Sequence, residues 1–131
     1  MQTVLVVDDE RAIREGLKRL LSSEGYRVLI ATNGREALEL IRCEGVDLVL
    51  CDLKMPVMGA VQVLDEVGAA YPDLVVIIFT GQGTIENAAE CIRKGAYEFV
   101  TKPFRYDYLR SVIRCAIDRL PPPPRPEKLP F

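Results

Sequence analysis

Val4-Leu-Val-Val-Asp8-Asp9-Glu10 is the stretch that decides how this chain is read: four consecutive apolar residues run straight into three acidic ones. Two later stretches repeat the pattern. Val46-Asp-Leu-Val-Leu-Cys-Asp52 ends on a carboxylate, and Tyr97-Glu-Phe-Val-Thr-Lys102-Pro103 ends on an ammonium. Short apolar runs of this kind suit strands covered on both faces, as in a parallel sheet. Parallel strands release their last residues at one carboxyl edge, where open α/β sheets bind ligands. Asp8, Asp9, Asp52 and Lys102 would meet there. Three carboxylates and one ammonium make a divalent-cation and phosphoryl site.

Working outward, strand and helix patterns alternate five times. Strands are expected near 3–7, 27–31, 47–51, 74–79 and 97–101. Between and after them lie amphipathic segments. Ile13, Leu17, Leu20 and Leu21 recur at helical spacing before Gly25. A second helix carries Ala37, Leu38 and Ile41 and is entered through Asn33-Gly34. A third holds Val63, Leu64 and Val67. The fourth places Ile85, Ala88, Ala89 and Ile92 on one stripe and stops at Gly95. The fifth carries Leu109, Val112, Ile113, Ala116, Ile117 and Leu120, and Pro121 prevents it from continuing. Repeated βα units imply right-handed crossovers and a parallel sheet with helices on both faces.

The chain has 131 residues, enough for one domain, and its 49% hydrophobic content supports an ordinary core. The domain is expected to span 1–120, with 121–131 a proline-rich linker or frayed tail rather than a docking motif for a proline-reading partner. The net charge of −2 and the lack of a basic cluster argue against direct nucleic-acid or membrane binding. A signal-peptide pattern is missing, so a cytoplasmic protein is the default expectation. The four cysteines, Cys43, Cys51, Cys91 and Cys115, fit no zinc spacing and read as small buried or half-buried residues. The absence of histidine removes His-based acid–base chemistry and the commonest zinc ligand.

Carboxylates about 5 Å apart repel by roughly 3 kcal/mol per pair at an effective dielectric near 20. A cation and the Lys102 ammonium are the natural compensation. Few oxygen-only ligands with room for water suit Mg²⁺ better than zinc. Thr80 ends the fourth strand in Val75-Val-Ile-Ile-Phe-Thr80-Gly81, where its hydroxyl could donate to a phosphoryl oxygen. Phe99 reads as either core packing or a mobile ring. A cis Lys102–Pro103 bond would aim the lysine inward, which the sequence leaves open.

The ordered set Asp8-Asp9, Asp52, Thr80, Phe99, Lys102-Pro103 resembles the receiver (CheY-like) domain of bacterial two-component response regulators, over residues 3 to 120. Asp52-Leu-Lys-Met-Pro56-Val-Met-Gly59 is similar to the family's loop after its phosphoacceptor. Phe79-Thr-Gly-Gln-Gly-Thr-Ile-Glu86 and Arg93-Lys-Gly-Ala-Tyr-Glu-Phe-Val-Thr-Lys-Pro-Phe104 look like receivers of the NtrC type. The resemblance implies a doubly wound α/β fold, flavodoxin/CheY-like, with five parallel strands in the order 2-1-3-4-5 and five helices.

It also implies roles. Asp52 would accept a phosphoryl group from a phosphohistidine of a sensor histidine kinase or phosphotransfer protein. Asp9, Asp52 and the Lys54 backbone carbonyl would ligate Mg²⁺, with Asp8 acting through a water. Lys102 and Thr80 would hold phosphoryl oxygens. Thr80 moving toward the phosphate would let Phe99 turn inward and reshape the face of the fourth helix, fifth strand and fifth helix. That face would serve a homodimer or an output partner. Lys54 and Gln82 would flank the attacking water and give slow self-hydrolysis. Beyond its own phosphorylation and dephosphorylation the chain would not be an enzyme. It would control a C-terminal output domain, in transcription regulation, beyond a chain cut after its linker. A stand-alone phosphorelay or interaction receiver without DNA-binding output is the alternative. An aspartate-nucleophile phosphatase needs a second Asp two residues on, where Lys54 stands. A dinucleotide site needs a glycine where Glu86 stands.

Overall fold

The computed structural model describes residues 1–81 and 83–125. Gln82 and the last residues of the expected tail lie outside them. Among the described residues the order is β1 (Thr3–Val7), α1 (Arg11–Ser23), β2 (Arg27–Ala31), α2 (Gly34–Cys43), β3 (Leu48–Asp52), α3 (Ala60–Ala70), β4 (Val75–Thr80), α4 (Ile85–Arg93), β5 (Glu98–Thr101) and α5 (Tyr106–Ile117). The strands pair in parallel in the order β2-β1-β3-β4-β5. Fold and order are those the resemblance implied.

The sheet divides two cores. Alternate residues of one strand face opposite sides. Leu5, Val49, Cys51, Ile78 and Phe99 pack with α2, α3 and α4. Val6, Leu50, Ile77, Phe79 and Val100 pack with α1 and α5. β1 and β3 are buried along their whole length, as continuous apolar runs require.

Local signals set the helix ends. Asn33 caps α2 by accepting from the Glu36 amide at 3.0 Å. Thr84 and Asn87 form a reciprocal capping box at the start of α4. Gly25 and Gly95 follow α1 and α4 with φ of 94° and 104°, the left-handed region glycine tolerates. Gly34 is needed for a different reason. A Cβ there would meet the Met58 carbonyl oxygen and Val63 Cγ2, both at 2.7 Å. Gly34→Ala is expected to destabilise the domain by about 1–3 kcal/mol through overpacking, read as a lower urea midpoint with an unchanged slope. An unchanged midpoint would mean that the contact relaxes freely.

Three expectations need correction. Most of the apolar stripe on α4 does not face the core: of its members only Ala88 is buried, beside Cys91, whereas Ile85 and Ile92 are exposed large hydrophobics and Ala89 is exposed too. The helix meets the sheet along a narrow line of small side chains, which rotates its bulky residues outward. Leu20 of α1 is likewise exposed. Cys43 is exposed rather than buried or half-buried, because it ends α2 at its solvent side.

Candidate functional site

The carboxyl ends of β1, β3, β4 and β5 converge as expected, each strand delivering its terminal side chain to one edge. Asp8 follows β1, Asp52 and Thr80 close β3 and β4, and Lys102 follows β5. One carboxylate oxygen from each of Asp8, Asp9 and Asp52 lies within 4.8 Å of the others. Asp9, Glu10, Asp52, Lys54, Thr80, Gly81 and Lys102 line a cleft of about 260 Å³. A larger hollow of about 530 Å³ sits at the opposite edge of the sheet, by Val46, Asp47, Leu74 and Val75, away from these groups.

Each acidic residue has its own environment. Asp8 is fully buried, with Oδ1 accepting from the Glu10 amide at 2.8 Å and Oδ2 from Lys102 Nζ at 2.9 Å. Asp9 is exposed at the rim. Asp52 is 6% exposed and opens onto the cleft. Burial pushes its pKa up from 3.8 to about 6; Lys102 works against that rise, and the negative charges of Asp8 and Asp9 add to it. An acid held this way ionises more readily when positive charge arrives.

Lys102 is the counter-charge. Its Nζ lies 3.8 Å from Asp52 Oδ2 and 3.8 Å from Glu10 Oε1. It also stands 4.9 Å from the centroid of the Phe79 ring, a cation–π distance. The Lys102–Pro103 bond is cis. Pro103 carries no amide hydrogen, so the strand ends there. The sequence reading assigns no role to Glu10 or Phe79; Phe79 sits in an apolar run whose ring position only the packing reveals.

Thr80 and Phe99 are adjacent. Both are buried, at 3% and 1% exposure. A Cβ on Gly83 would come within 2.8 Å of Thr80 Cγ2 and 2.6 Å of Phe99 Cζ. The Phe99 ring is therefore core packing, already turned inward. Lys54 is exposed in the loop after β3, where Val57 holds a left-handed φ of 71°, uncommon for a β-branched residue.

The response regulator receiver domain family matches residues 4–114. The chain belongs to this family. The receiver is 38% identical over 114 residues to the transcriptional regulatory protein ZraR of Escherichia coli (strain K12), spanning 87% of this chain and 26% of that protein. It is 35% identical over 119 residues to the response regulator MprA of Mycolicibacterium vanbaalenii, 91% of this chain and 52% of that one. The chain thus spans between a quarter and about half the length of these relatives. Among solved structures it is similar to the beryllofluoride-activated NtrC4 receiver domain dimer, with a TM-score of 0.86 and 38% identity, covering 91% of this chain and 98% of that one. A CheY-like receiver from Methanospirillum hungatei JF-1 gives a TM-score of 0.87 at 32% identity, covering 91% and 95%. The relatives include NtrC-type regulators, as the resemblance implied. The acidic cluster of this receiver fits a metal ion.

Proposed function

We propose that the receiver is a phosphorylation-operated switch whose acceptor is Asp52. The observation that carries this reading is the meeting of Asp8, Asp9, Asp52 and Lys102 at one sheet edge, with Asp9, Asp52 and Lys102 lining the cleft there. Asp52 is the strand-end carboxylate that opens onto the cleft beside the lysine. A carboxylate oxygen attacks the phosphorus of a phosphohistidine on a sensor kinase or phosphotransfer protein. The P–N bond breaks, and its electron pair leaves with the imidazole. The chain contains no histidine, so the donor is another chain or domain.

Such a transfer passes through a loose transition state, and alignment and charge stabilisation supply most of the catalysis. Lys102 places one positive charge beside the acceptor. Asp9, Asp52 and the Lys54 carbonyl would hold Mg²⁺, with Asp8 acting through a water. All of these are oxygen donors, as a hard cation prefers. The bound ion would supply charge neutralisation and orientation. Thr80 would donate its hydroxyl to a phosphoryl oxygen. Phe99 is the ring whose position would answer a shift of Thr80, because the two touch the same glycine.

The reading extends to the surroundings. The α4-β5-α5 face would bind a second copy or an output domain, and the exposed Ile85 and Ile92 give α4 apolar area for this. A C-terminal output domain in transcription regulation is favoured by the similarity to the transcriptional regulatory protein ZraR. No described helix is long and apolar enough to cross a membrane, and a cytoplasmic location fits the reading.

Metal binding gives a direct test through pH. Asp52 has its pKa raised to about 6, so below that value the cation must displace a proton to bind. Mg²⁺ affinity is expected to be flat above about pH 7 and to weaken by about tenfold per pH unit below 6. Titrating Mg²⁺ at pH 5 and pH 7.5, followed by NMR shifts of residues around the cleft, measures it. Equal affinity at both values would count against Asp52 as a ligand. Reaction with acetyl phosphate, dependent on Mg²⁺ and detected as one added phosphoryl mass on Asp52, tests the function itself.

A further inference from the structure

The chain does not fray where α5 ends. Arg119 takes a left-handed φ of 58°. The Arg119 amide donates to the Ala116 carbonyl at 3.1 Å and the Leu120 amide to the Cys115 carbonyl at 2.9 Å. That pair of bonds is the Schellman closure, built here on an arginine instead of glycine. It turns the chain back toward the sheet. The Tyr97 hydroxyl then donates to the Leu120 carbonyl at 2.7 Å, tying the turn to the residue before β5. Five residues later Arg125 pairs through its guanidinium with Glu98 Oε1.

Glu98 is the unexpected member. It is an acidic residue, 5% exposed, on the strand at the outer edge of the sheet. It shares its side of β5 with Val100, toward α5, while Phe99 faces α4. A buried carboxylate needs a counter-charge or several donors. Glu98 Oε1 accepts from the Phe99 amide at 2.9 Å, and the positive charge comes from Arg125. The buried Tyr108 hydroxyl lies beside the pair and makes no hydrogen bond of good geometry among the described residues. Its pKa is raised by burial first and by the Glu98 charge second, with Arg125 opposing.

We propose that Pro121–Arg125 is an intramolecular strap, pinned by Arg125 to the buried Glu98, that covers the outer edge of β5 and ties the exit of the chain to the strand carrying Phe99. The composition suits the role. Four successive prolines are already extended before docking, so little conformational entropy is lost. They also offer no amide hydrogens and cannot extend the sheet. An open edge strand is a template for another chain, and a proline cover blocks it. The contact route runs from Thr80 to Phe99 across Gly83, from the Phe99 amide to Glu98, and from Glu98 to Arg125. This coupling rests on the reading of Asp52 as the phosphoacceptor; the docked strap does not.

NMR of the whole chain tests both. The Arg125 Nη–H signals are expected to exchange with water about tenfold more slowly than those of exposed arginines. In Glu98→Gln, which keeps the acceptor oxygen and removes the charge, that protection should fall, and in Glu98→Ala it should vanish. In Arg125→Gln, which leaves every strand intact, the Tyr97 and Phe99 amide signals should shift. An Arg125 signal exchanging like the exposed arginines in the unaltered protein overturns the strap. Beryllofluoride with Mg²⁺ is then added. If amides beside Asp52 and Lys102 respond, Arg125 must respond too, and an unmoved Arg125 signal overturns the coupling. If the amides beside Asp52 do not respond, the phosphoacceptor reading fails instead, and the strap still stands on the first measurement.

Discussion

Asp52→Asn is expected to abolish phosphoryl acceptance and, in the same molecule, to make the metal-free protein more stable above pH 6. The two effects have one cause. Asp52 sits in a cleft with two other carboxylates within 4.8 Å. Its pKa is raised from 3.8 to about 6, chiefly by burial. A carboxylate with a raised folded pKa binds its proton more tightly in the folded state than in the unfolded one. Stability therefore falls as pH rises from 3.8 to about 6, and the cost is complete above that. An asparagine carries no charge at any pH and escapes it. A rise of that size corresponds to about 3 kcal/mol. Relaxation and water in the cleft reduce it, so the expected gain is about 1–3 kcal/mol. Urea unfolding at pH 7.5 without metal should show a higher midpoint. At pH 4 the difference should shrink. Incubation with acetyl phosphate and Mg²⁺ should leave the variant at its unmodified mass. A variant that is phosphorylated as readily as the parent would remove Asp52 from its role. Equal stability at both pH values would show that the cleft is better solvated than its packing implies.

Lys102→Met should move stability the other way. Asp8 is fully buried, and Lys102 Nζ at 2.9 Å is the cation on its second oxygen. Methionine keeps an apolar stem against the Phe79 ring but removes the charge. It leaves Asp8 with the Glu10 amide, and it takes from Asp52 the group that most lowers its pKa. Breaking a buried pair from one side typically costs about 3–5 kcal/mol. Lys102 is 15% exposed, so water replaces part of the loss, and about 2–4 kcal/mol is expected at pH 7.5. Mg²⁺ should recover more stability in the variant than in the parent, since it supplies the charge that is missing. The rate of reaction with acetyl phosphate should drop by about 10²–10³-fold, the usual cost of removing one group that stabilises developing negative charge. A variant as stable as the parent would mean that the Lys102–Asp8 pair contributes nothing to stability. One as fast would mean that Lys102 has no part in the transfer.

Both predictions concern residues that are legible in the chain's linear order. Asp8, Asp9, Asp52, Thr80 and Lys102 stand at the ends of runs whose β character is unmistakable, and a parallel sheet delivers strand ends to one edge. The expected strand boundaries agree with the observed ones to within a residue, because an apolar run in a buried sheet begins and ends where burial does. The face of α4 is not legible in this way. Ile85, Ala88, Ala89 and Ile92 have the spacing of a buried stripe, yet of these the sheet receives only Ala88, together with Cys91. Periodicity reports that a stripe exists; it does not say whether the domain or a partner covers it. Glu98 escapes a sequence reading for a related reason. A single acidic residue in a short strand reads as solvent-facing until the chain's own tail is seen across it.

The sequence by itself determined the layered α/β architecture, the edge at which the chemistry gathers and the residues that gather there. All of these follow from alternation, strand ends and local capping. Only the tertiary structure decided which carboxylate is sealed beneath Lys102 and which opens onto the cleft, where the Phe99 ring rests, and that Arg125 meets Glu98 of β5. Those outcomes depend on distances between residues far apart in the chain, such as Lys102 and Asp8 at 2.9 Å. Such distances arise only when all the layers pack at once.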